Sequence, residues 1–446
     1  MANNRESNIK LGTNRDKPRV WIEGQWLEQF GFAAGKEYAV RYEKNQLRIL
    51  LAEPTAGERK VSARGKGRSG GIIDINCKEL ESVFKPGITL HVSASNGEIV
   101  VTPAKSLLKK AARVITTAAV GLFVGGGLLD VAIHNCGFNT VAAVEIEPAF
   151  AEVWESNHGG SMYEQAIEEV DFAEMARKME QPVGLLAAGR PCEPFSAIRT
   201  LDRGGQTKRD KSLPPEAHEL GHLDYFVLSA VDHLNPHTVL IENVPGYLDA
   251  GAGYMVQGVL KSMGYLVESR VLNSLDFGSL QARRRAIIVA TTFDKINWPA
   301  TVPHGATFGQ IMDQIPDDSP LWFGLDHWAP KHWAKQSAKG NGFAAPAITA
   351  DTTQVPTIKK RYWSLQGDNF VVSHPTRTNT WRWLTLDEGR RLMGLPTNYN
   401  LGDTKTTAGE ILGQGCVVPM FEKLIASITS TPGIPVVEVV PQPEAA

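Results

Sequence analysis

The chain has 446 residues, a formal net charge of −2, 42% hydrophobic residues and 21% charged residues, a composition typical of a globular protein with two or three domains. No apolar run reaches the roughly 18 residues of a membrane span, and the polar amino terminus does not read as a secretory signal, so we expect no membrane association. The cysteines are too widely spaced to predict a metal site or a disulfide framework, which favours a reducing cytoplasm. They are Cys77, Cys136, Cys192 and Cys416.

Charge is unevenly distributed along the chain. Residues 1–110 contain 19 Lys and Arg against 12 Asp and Glu, a balance of about +7, so the remainder carries about −9. A basic segment beside an acidic body suggests an anionic partner for the basic segment. An ordinary solvated basic face is the alternative.

The first hundred residues predict a small β-rich domain. Residues 1–18 are polar, and we expect them to be disordered. Two stretches, "EYAVRYEKNQLRILLA" (37–52) and "ITLHVSASNGEIVVTP" (88–103), alternate in hydrophobicity around Lys-Asn and Asn-Gly, which is typical of β-hairpins. Because one superposes on the other, residues 19–104 are interpreted as an internal duplication. The first copy resembles the AbrB and SymE type of swapped-hairpin domain, which implies a small β-barrel that often binds DNA.

From residue 105 strand-like and helical patterns alternate. The strand-like runs "AAVGLF", "TVAAVEIEP", "PVGLLAAG" and "HTVLIENV" are each followed by a helical pattern, which predicts an α/β, Rossmann-like fold with a mainly parallel sheet. This pattern covers residues 105–295 and returns over 376–430. Residues 296–375 lack it and are rich in Trp, Pro, Gly and His, so we expect a small irregular domain there. Residues 431–446 form a Pro- and Val-rich tail.

A glycine-rich stretch, "GLFVGGGLLD" (121–130), follows the first of these strands and opens a helix. Glycines let the backbone approach a ligand closely, and a helix start offers free N–H groups. The next strand ends in "VEIEP", where Glu145 suits a ribose diol. Together these features predict a nucleoside-containing cofactor. The alternative is a structural tight turn followed by an ordinary surface acid.

The stretch "LLAAGRPCEPFSAIR" (185–199) places Cys192 in a proline-flanked turn after a buried strand. Open α/β sheets bind ligands at the carboxyl ends of their strands, and the prolines stiffen the turn. We expect Arg190 to favour the thiolate, which is the nucleophilic form of cysteine. An inert, buried cysteine is the usual alternative, and the Pro-Cys-x-Pro-Phe-Ser context argues against it.

Six stretches, taken in chain order, resemble the motifs of the DNA (cytosine-5) methyltransferases, which use S-adenosylmethionine. They are "LFVGGGLLD", "GRPCEPFS", "IENVPGYL", "FGSLQARRRAIIVA", "RWLTLDEGRRLMGLP" and "LGQGCVVP". The resemblance implies a class I methyltransferase domain over 105–295 and 376–430 and a target-recognition domain over 296–375. It also implies double-stranded DNA as the partner and a role in restriction–modification. The oligomeric state is left open, with a monomer slightly favoured.

The resemblance also implies roles for individual residues. Cys192 adds to C6 of a flipped-out cytosine, a partly neutral Glu242 acts at N3, and Arg285, with Arg283 beside it, stabilises charge at O2. Separately, the basic stretch 199–211 follows Cys192, and we expect it to close over DNA; an ordinary solvated loop is the alternative. Substrate contacts are implied for Pro191, Ser196, Asn243 and Gln281, of which Asn243 is expected chiefly to shape its turn. Cofactor contacts are implied for Phe123, Gly125, Gly127, Glu145, Ile146, Gln414 and Val417.

Several positions depart from the family pattern. They are Gly121 and Gly184 in place of Asp, Leu128 in place of Gly, Ala166 near the usual adenine-binding Asp, Glu193 in place of Gln, and Gln414 in place of Asn. The implied catalytic residues Cys192, Glu242, Arg283 and Arg285 all match the family pattern, whereas several positions around the implied cofactor site do not. Two alternatives therefore stay open: an RNA cytosine-5 methyltransferase, and a DNA-binding regulatory protein with an inactive methyltransferase body.

Overall fold

Two compact units make up the chain, Met1–Lys109 and Lys110–Ala446, and each has its own hydrophobic core. The boundary lies slightly beyond the predicted one after residue 104. The computed structural model describes residues 5–52, 59–65, 69–86, 88–103, 113–195, 214–302, 305–340, 346–364 and 369–430.

The N-terminal unit consists of short strands and two one-turn helices. In chain order these are β1 (Arg5–Lys10), β2 (Gly12–Asn14), β3 (Lys17–Gly24), α1 (Trp26–Gln29), β4 (Glu37–Glu43), β5 (Gln46–Leu51), β6 (Arg59–Lys60), β7 (Ser62–Ala63), β8 (Gly71–Asn76), α2 (Leu80–Val83), β9 (Thr89–Ser95) and β10 (Glu98–Pro103). The two predicted hairpins, β4–β5 and β9–β10, are confirmed. Asn45 and Gly97 have the positive φ that such tight turns require.

The two copies of the duplication exchange strands with each other. The unit has two sheets, of order β1-β9-β10-β5-β4-β6 and β2-β3-β8-β7. Strand β3 pairs with its counterpart β8, and β5 pairs with its counterpart β10. Strand β1 pairs with the second hairpin, just as β6 pairs with the first. The backbone N–H of Leu11 donates to Ile88 O at 3.0 Å, and that of Val61 donates to Lys36 O at 2.9 Å, which repeats one contact in both copies.

The expectation that residues 1–18 are disordered is wrong for residues 5–18. These residues form β1, β2 and the start of β3, and Leu11 is buried in the core of the unit. The polarity of β1 misled the prediction because an edge strand pairs on one side only and tolerates polar side chains. The duplication therefore begins at Arg5, well before residue 19.

The C-terminal unit alternates strands and helices, as predicted. The elements are β11 (Ala118–Leu122), α3 (Leu128–Asn135), β12 (Asn139–Glu145), α4 (Pro148–Asn157), β13 (Ser161–Glu164), α5 (Phe172–Lys178), β14 (Leu185–Gly189), α6 (Leu223–Leu234), β15 (Thr238–Asn243), α7 (Gly251–Ser262), β16 (Leu266–Asn273), β17 (Arg284–Thr291), α8 (Trp328–Ala338), β18 (Ala347–Ile348), β19 (Val371–Ser373), β20 (Trp381–Arg382), α9 (Leu386–Met393), α10 (Lys405–Gln414) and α11 (Val418–Thr429).

Seven strands form the main sheet, in the order β13-β12-β11-β14-β15-β17-β16. The first five run parallel, and β17 is antiparallel to both of its neighbours. The central strands β11 and β14 are almost wholly buried, as their continuous apolar runs predict. The strand order reverses between β11 and β14. The loops after these two strands therefore lie at a topological switch point, where such sheets bind ligands.

The Trp-rich segment 296–375 lies within the C-terminal unit and shares its core, through residues such as Phe308 and Ile358. The target-recognition role of this segment stays a prediction. Its described residues contribute α8, β18 and β19, and β19 pairs with β20 to complete a three-stranded sheet. The rings of Trp328 and Phe323 both lie against Trp383.

A buried ion pair packs next to this segment, and we expect its loss to destabilise the protein strongly. Both guanidinium Nη atoms of Arg382 donate to the Glu388 carboxylate, at 2.7 and 2.6 Å, and both side chains are fully buried. Glu388→Ala leaves a buried guanidinium unpaired, so we expect a loss of about 3–5 kcal/mol in the free energy of unfolding. Urea unfolding measures this loss. The matched control is Glu174→Ala, which breaks the exposed Glu174–Lys178 pair and should cost less than about 1 kcal/mol. Equal costs for the two variants would contradict the prediction.

Candidate active site

The turn after β11 lines one side of the candidate site. Phe123 and Gly125 both have φ of 55°, and Gly127 has φ of 82°; among these only Phe123 is strained by such a backbone. Space is open beside Gly125, where an added Cβ would meet no atom within 4 Å. We call residues 123–127 the glycine loop. It leaves open space beside the backbone of Gly125.

Glu145 lies at the end of the neighbouring strand β12 and is bound to the glycine loop. Its Oε2 accepts from Gly125 N at 2.7 Å, and its Oε1 accepts from Ile146 N and Glu147 N at 3.0 and 2.9 Å. Burial raises the pKa of Glu145. A carboxylate has about four acceptor positions, so one remains for a hydroxyl. Beside it, Ile146 is 64% exposed, an apolar surface that suits an aromatic base.

The C-terminal stretch closes the glycine loop from the other side. An added Cβ at Gly126 would meet Ile411 of α10 at 2.7 Å. Gln414, at the end of α10, is exposed and accessible to a ligand. Val417 is fully buried at the start of α11, so its predicted direct contact with a cofactor is not supported, and it acts through packing instead.

Cys192 lies in the turn that follows β14. The residue is exposed, while the protein packed around the turn raises the pKa of its thiol by desolvation. The acids Glu193 and Glu242 raise this pKa further, whereas Arg285 and Arg283 lower it. The thiol is therefore accessible and mainly protonated at neutral pH. Pro191, beside it, is partly exposed, and Ser196 lies outside the described residues.

Arg190 does not activate the thiol, contrary to the expectation. Its guanidinium is buried and forms an ion pair with Asp224 of α6, with Nε 3.1 Å from Oδ1. Its Nη2 donates to Leu220 O at 2.7 Å, and Asp224 also accepts from the Tyr247 hydroxyl at 2.8 Å. Arg190 thus attaches the turn that carries Cys192 to α6. The sequence signal for this anchor, an acid among the apolar positions of "HLDYFVLSAV", was missed.

Glu242 and Arg285 form the charged centre of the site. Glu242 lies on β15 opposite Gly189 of β14, three residues before Cys192. Arg285 Nε lies 2.6 Å from Glu242 Oε1, and both side chains are largely buried. The expectation that Glu242 acts at N3 of the base stays a prediction. The pair places a carboxyl and a guanidinium at the strand edge that also carries the thiol.

Three of the residues predicted to contact the substrate instead form hydrogen bonds with the backbone of the protein. Arg283 is 2% exposed and donates to Ile358 O at 3.2 Å and to Gly413 O at 3.0 Å. Burial lowers the pKa of Arg283 to about 9. Gln281 is fully buried, and its Oε1 accepts from Ile358 N at 3.1 Å. Asn243 Oδ1 accepts from Val244 N at 2.8 Å, which shapes the turn as expected. We therefore reassign Arg283 and Gln281 from direct substrate contact to positioning.

Two departures from the family pattern have steric causes. At Gly184 an added Cβ would collide with the Thr116 carbonyl, so no side chain fits there. At Gly121 an added Cβ would collide with Val124 and would lie 3.4 Å from Asp130 Oδ1. Asp130, from α3, is a buried carboxyl close to this position. Its Oδ1 accepts from Thr140 at 2.8 Å, and burial raises its pKa to about 6.

Within the described part of the chain, no cluster of three or more His, Cys, Asp or Glu side chains is arranged to hold a metal ion. In the same residues no single helix is long and apolar enough to cross a membrane, although the bent pair α10–α11 meets those two criteria together.

A known protein family and several known sequences resemble this chain. The family model for C-5 cytosine-specific DNA methylases matches residues 118–430. The Type II methyltransferase M.NlaX of Neisseria lactamica is 25% identical over 318 residues, covering 68% of this chain and 94% of that protein. M.DsaV of Dactylococcopsis salina is 23% identical and covers 70% of this chain and 85% of that protein.

Solved structures share the fold. The S. pombe Dnmt2 methyltransferase has a TM-score of 0.54 at 20% identity, over 69% of this chain and 97% of that one. The Entamoeba histolytica methyltransferase EhMeth has a TM-score of 0.54 at 15% identity, over 71% of this chain and 98% of that one.

Proposed function

Because the chain belongs to the C-5 cytosine-specific DNA methylase family and is therefore a cytosine-5 methyltransferase, we propose that it methylates C5 of a cytosine flipped out of duplex DNA, with S-adenosylmethionine as the methyl donor. One observation carries the proposal. The exposed thiol of Cys192 follows β14, and the Glu242–Arg285 ion pair joins the adjacent strands β15 and β17 near the same edge of the sheet.

The residues of this edge suit covalent catalysis. The Cys192 thiol gives its proton to the Glu242 carboxylate as its sulfur bonds to C6, which makes C5 nucleophilic. Electron density from the ring collects at N3, where Glu242 passes on a proton, and at O2, where Arg285 donates a hydrogen bond. Once C5 is methylated, a water molecule takes the C5 proton and the sulfur–C6 bond breaks, and the N3 proton returns through Glu242 to the sulfur and restores the thiol. A base inside a duplex cannot reach Cys192, so the cytosine has to leave the stack.

The cofactor fits the other half of the same edge. The open space beside Gly125, the remaining acceptor position of Glu145 and the exposed Ile146 suit a methionine moiety, a ribose and an adenine, respectively. Phe123 borders the same space, and Gln414 would close it. Bound there, S-adenosylmethionine supplies an electrophilic methyl group.

A basic ridge on α8 supports an anionic macromolecular substrate. Lys331, Lys335 and Lys339 are exposed, lie four residues apart, and form no ion pair within the described residues. The ridge spans about 12 Å, which matches three to four successive phosphates of one DNA strand along the axis. The segment from 327 to 340 contains no acid, although residues 111–446 are acidic overall. The proposed DNA-closing loop, 199–211, lies outside the described residues.

The direct test is methyl transfer itself. We expect the protein, incubated with labelled S-adenosylmethionine and mixed-sequence duplex DNA, to produce 5-methylcytosine within a defined sequence. Transfer to RNA alone would favour the RNA methyltransferase alternative. Cofactor binding without transfer to either would favour a regulatory protein.

For the N-terminal unit we propose weak, sequence-independent binding to duplex DNA. Arg15, Lys17 and Lys44 lie at hairpin turns and form no ion pair within the described residues. Neutralisation of phosphates makes such binding strongly salt-dependent. Residues 1–110 alone should therefore shift duplex DNA in a gel at low salt and not at high salt.

Deletion of the same residues should weaken DNA affinity and preserve methyl transfer at high DNA concentration, because the proposed catalytic residues all belong to the other unit. An absent gel shift at low salt, together with unchanged DNA affinity of the truncated enzyme, would show that this unit serves another purpose, such as protein binding.

A further inference from the structure

One peptide group of the glycine loop is fixed at both of its polar atoms. The N–H of Gly127 donates to Val124 O at 3.0 Å, and the carbonyl of Gly126 accepts from the Tyr399 hydroxyl at 2.5 Å. The first bond is local to the loop. The second comes from a residue 273 positions away along the chain, so the loop conformation depends on a distant segment.

Tyr399 is itself held by His158. The Nε2 of His158 lies 2.9 Å from Tyr399 Oη. Because the only hydroxyl proton of Tyr399 goes to Gly126, the shared proton of this contact belongs to His158, which therefore donates from Nε2. Burial lowers the pKa of His158 to about 4, so the ring is neutral at physiological pH, and its contact with Tyr399 assigns the proton to Nε2. We call His158, Tyr399 and Gly126 the tyrosine clamp.

The clamp is braced by a second set of bonds between the same two segments. Asn157 Nδ2 donates to Asn400 O at 2.9 Å, and Asn400 N donates back to Asn157 Oδ1 at 2.8 Å. Asn400 Nδ2 also donates to Ser156 Oγ at 3.0 Å. These residues end α4, the helix that begins just after Glu145. The glycine loop is thus tied to one end of α4 through Glu145 and to the other end through the clamp.

We propose that Tyr399, held by His158, is a positioning residue that keeps the glycine loop in the conformation that receives S-adenosylmethionine. The proposal rests on the cofactor site proposed above. A loop fixed before binding spares the ligand the free energy of ordering it. Tyr399 touches neither ligand nor reacting atoms, since its hydroxyl faces the carbonyl of the loop.

Tyr399→Phe removes one oxygen and leaves the ring in place. Gly126 O and His158 Nε2–H then lose their partner, and the 126–127 peptide is free to turn. We expect the Kd for S-adenosylhomocysteine to rise about tenfold, which corresponds to about 1.4 kcal/mol. In turnover, the KM for S-adenosylmethionine should rise more than kcat falls, while the affinity for DNA is unchanged.

A matched control separates positioning from general stability. Tyr265 is also buried, and its hydroxyl also donates to a carbonyl, that of Pro236, at 2.6 Å. Tyr265 directly precedes β16 and Pro236 precedes β15, so this bond lies at the amino ends of the strands, opposite the proposed catalytic edge. Tyr265→Phe should lower the melting temperature by a similar amount and leave the Kd for S-adenosylhomocysteine unchanged. At position 158, His158→Gln keeps a donor and should retain more affinity than His158→Leu.

The measurement is isothermal titration calorimetry of the full chain with S-adenosylhomocysteine. A tenfold weaker Kd for Tyr399→Phe beside an unchanged Kd for Tyr265→Phe is the expected result. Equal affinities of the wild type and Tyr399→Phe would overturn the clamp and leave the proposed function standing. A wild-type protein that binds no S-adenosylhomocysteine would refute the cofactor site, and the clamp with it. Equal weakening by both variants would mark a stability effect and would likewise overturn the proposal.

Discussion

Cys192→Ala is expected to abolish methyl transfer and to leave the fold intact. The substitution removes the only atom that can bond to C6 in the proposed reaction, and the exposed position of Cys192 means that little core packing is lost. The rate of transfer should fall below detection, while the melting temperature and the affinity for duplex DNA stay close to those of the wild type.

Trapping with a substrate analogue tests the same step independently. In 5-fluorocytosine DNA the ring cannot lose a C5 proton after methylation, so the sulfur–C6 bond persists. The wild type should form a denaturation-resistant adduct, and Cys192→Ala should form none. A Cys192→Ala variant that still transfers methyl groups would remove Cys192 from the mechanism. As a control, Cys136→Ala should form the adduct normally.

The surroundings of the thiol determine when it reacts. A raised pKa keeps Cys192 protonated until the pH approaches that higher value, so little thiolate exists in the free protein at neutral pH. Of the three nearby guanidinium groups, that of Arg190 pairs with Asp224, that of Arg285 pairs with Glu242, and that of Arg283 donates to backbone carbonyls. We therefore expect Cys192 to lose its proton only when the base is bound.

Much of the fold was predictable because its signals are local. Hairpin turns at Asn45 and Gly97, buried strands with continuous apolar runs, and glycines before α3 each depend on a few adjacent residues. The closeness of the proposed catalytic residues was also predictable, since the carboxyl ends of parallel strands meet at one side of the sheet. Cys192 and Glu242 could therefore be placed together from the ends of their strands alone.

The remainder depends on contacts between distant parts of the chain. The polar strand β1 is stabilised by pairing with β9, about eighty residues later, and nothing within residues 5–10 indicates that partner. Arg283 matches a catalytic motif by position, yet both of its Nη atoms donate to backbone carbonyls, those of Ile358 and Gly413. A motif gives the residue type, whereas the role depends on which partners reach it, and those partners come from segments with no local signal.

Glu242→Gln is expected to slow methyl transfer by about 10²–10⁴-fold, the range for removal of an acid–base group. Glutamine fills nearly the same space and donates a hydrogen bond to N3, but it cannot pass on a proton. The variant also removes the charge that faces Arg285 at 2.6 Å. Single-turnover kinetics at saturating DNA and cofactor measures the chemical step without product release, and Glu193→Gln, also beside Cys192, serves as the matched amide control with a much smaller effect.

The Glu242–Arg285 pair further predicts that the two side chains do not act independently. If both stabilise the same base after the addition at C6, the double variant Glu242→Gln/Arg285→Gln should lose much less than the product of the two single losses, because groups that act as a unit are strongly non-additive. Multiplicative losses would mean that Arg285 acts elsewhere, for example on a phosphate. An unchanged rate for Glu242→Gln alone would exclude proton transfer by Glu242 and leave the carboxylate as a structural partner of Arg285.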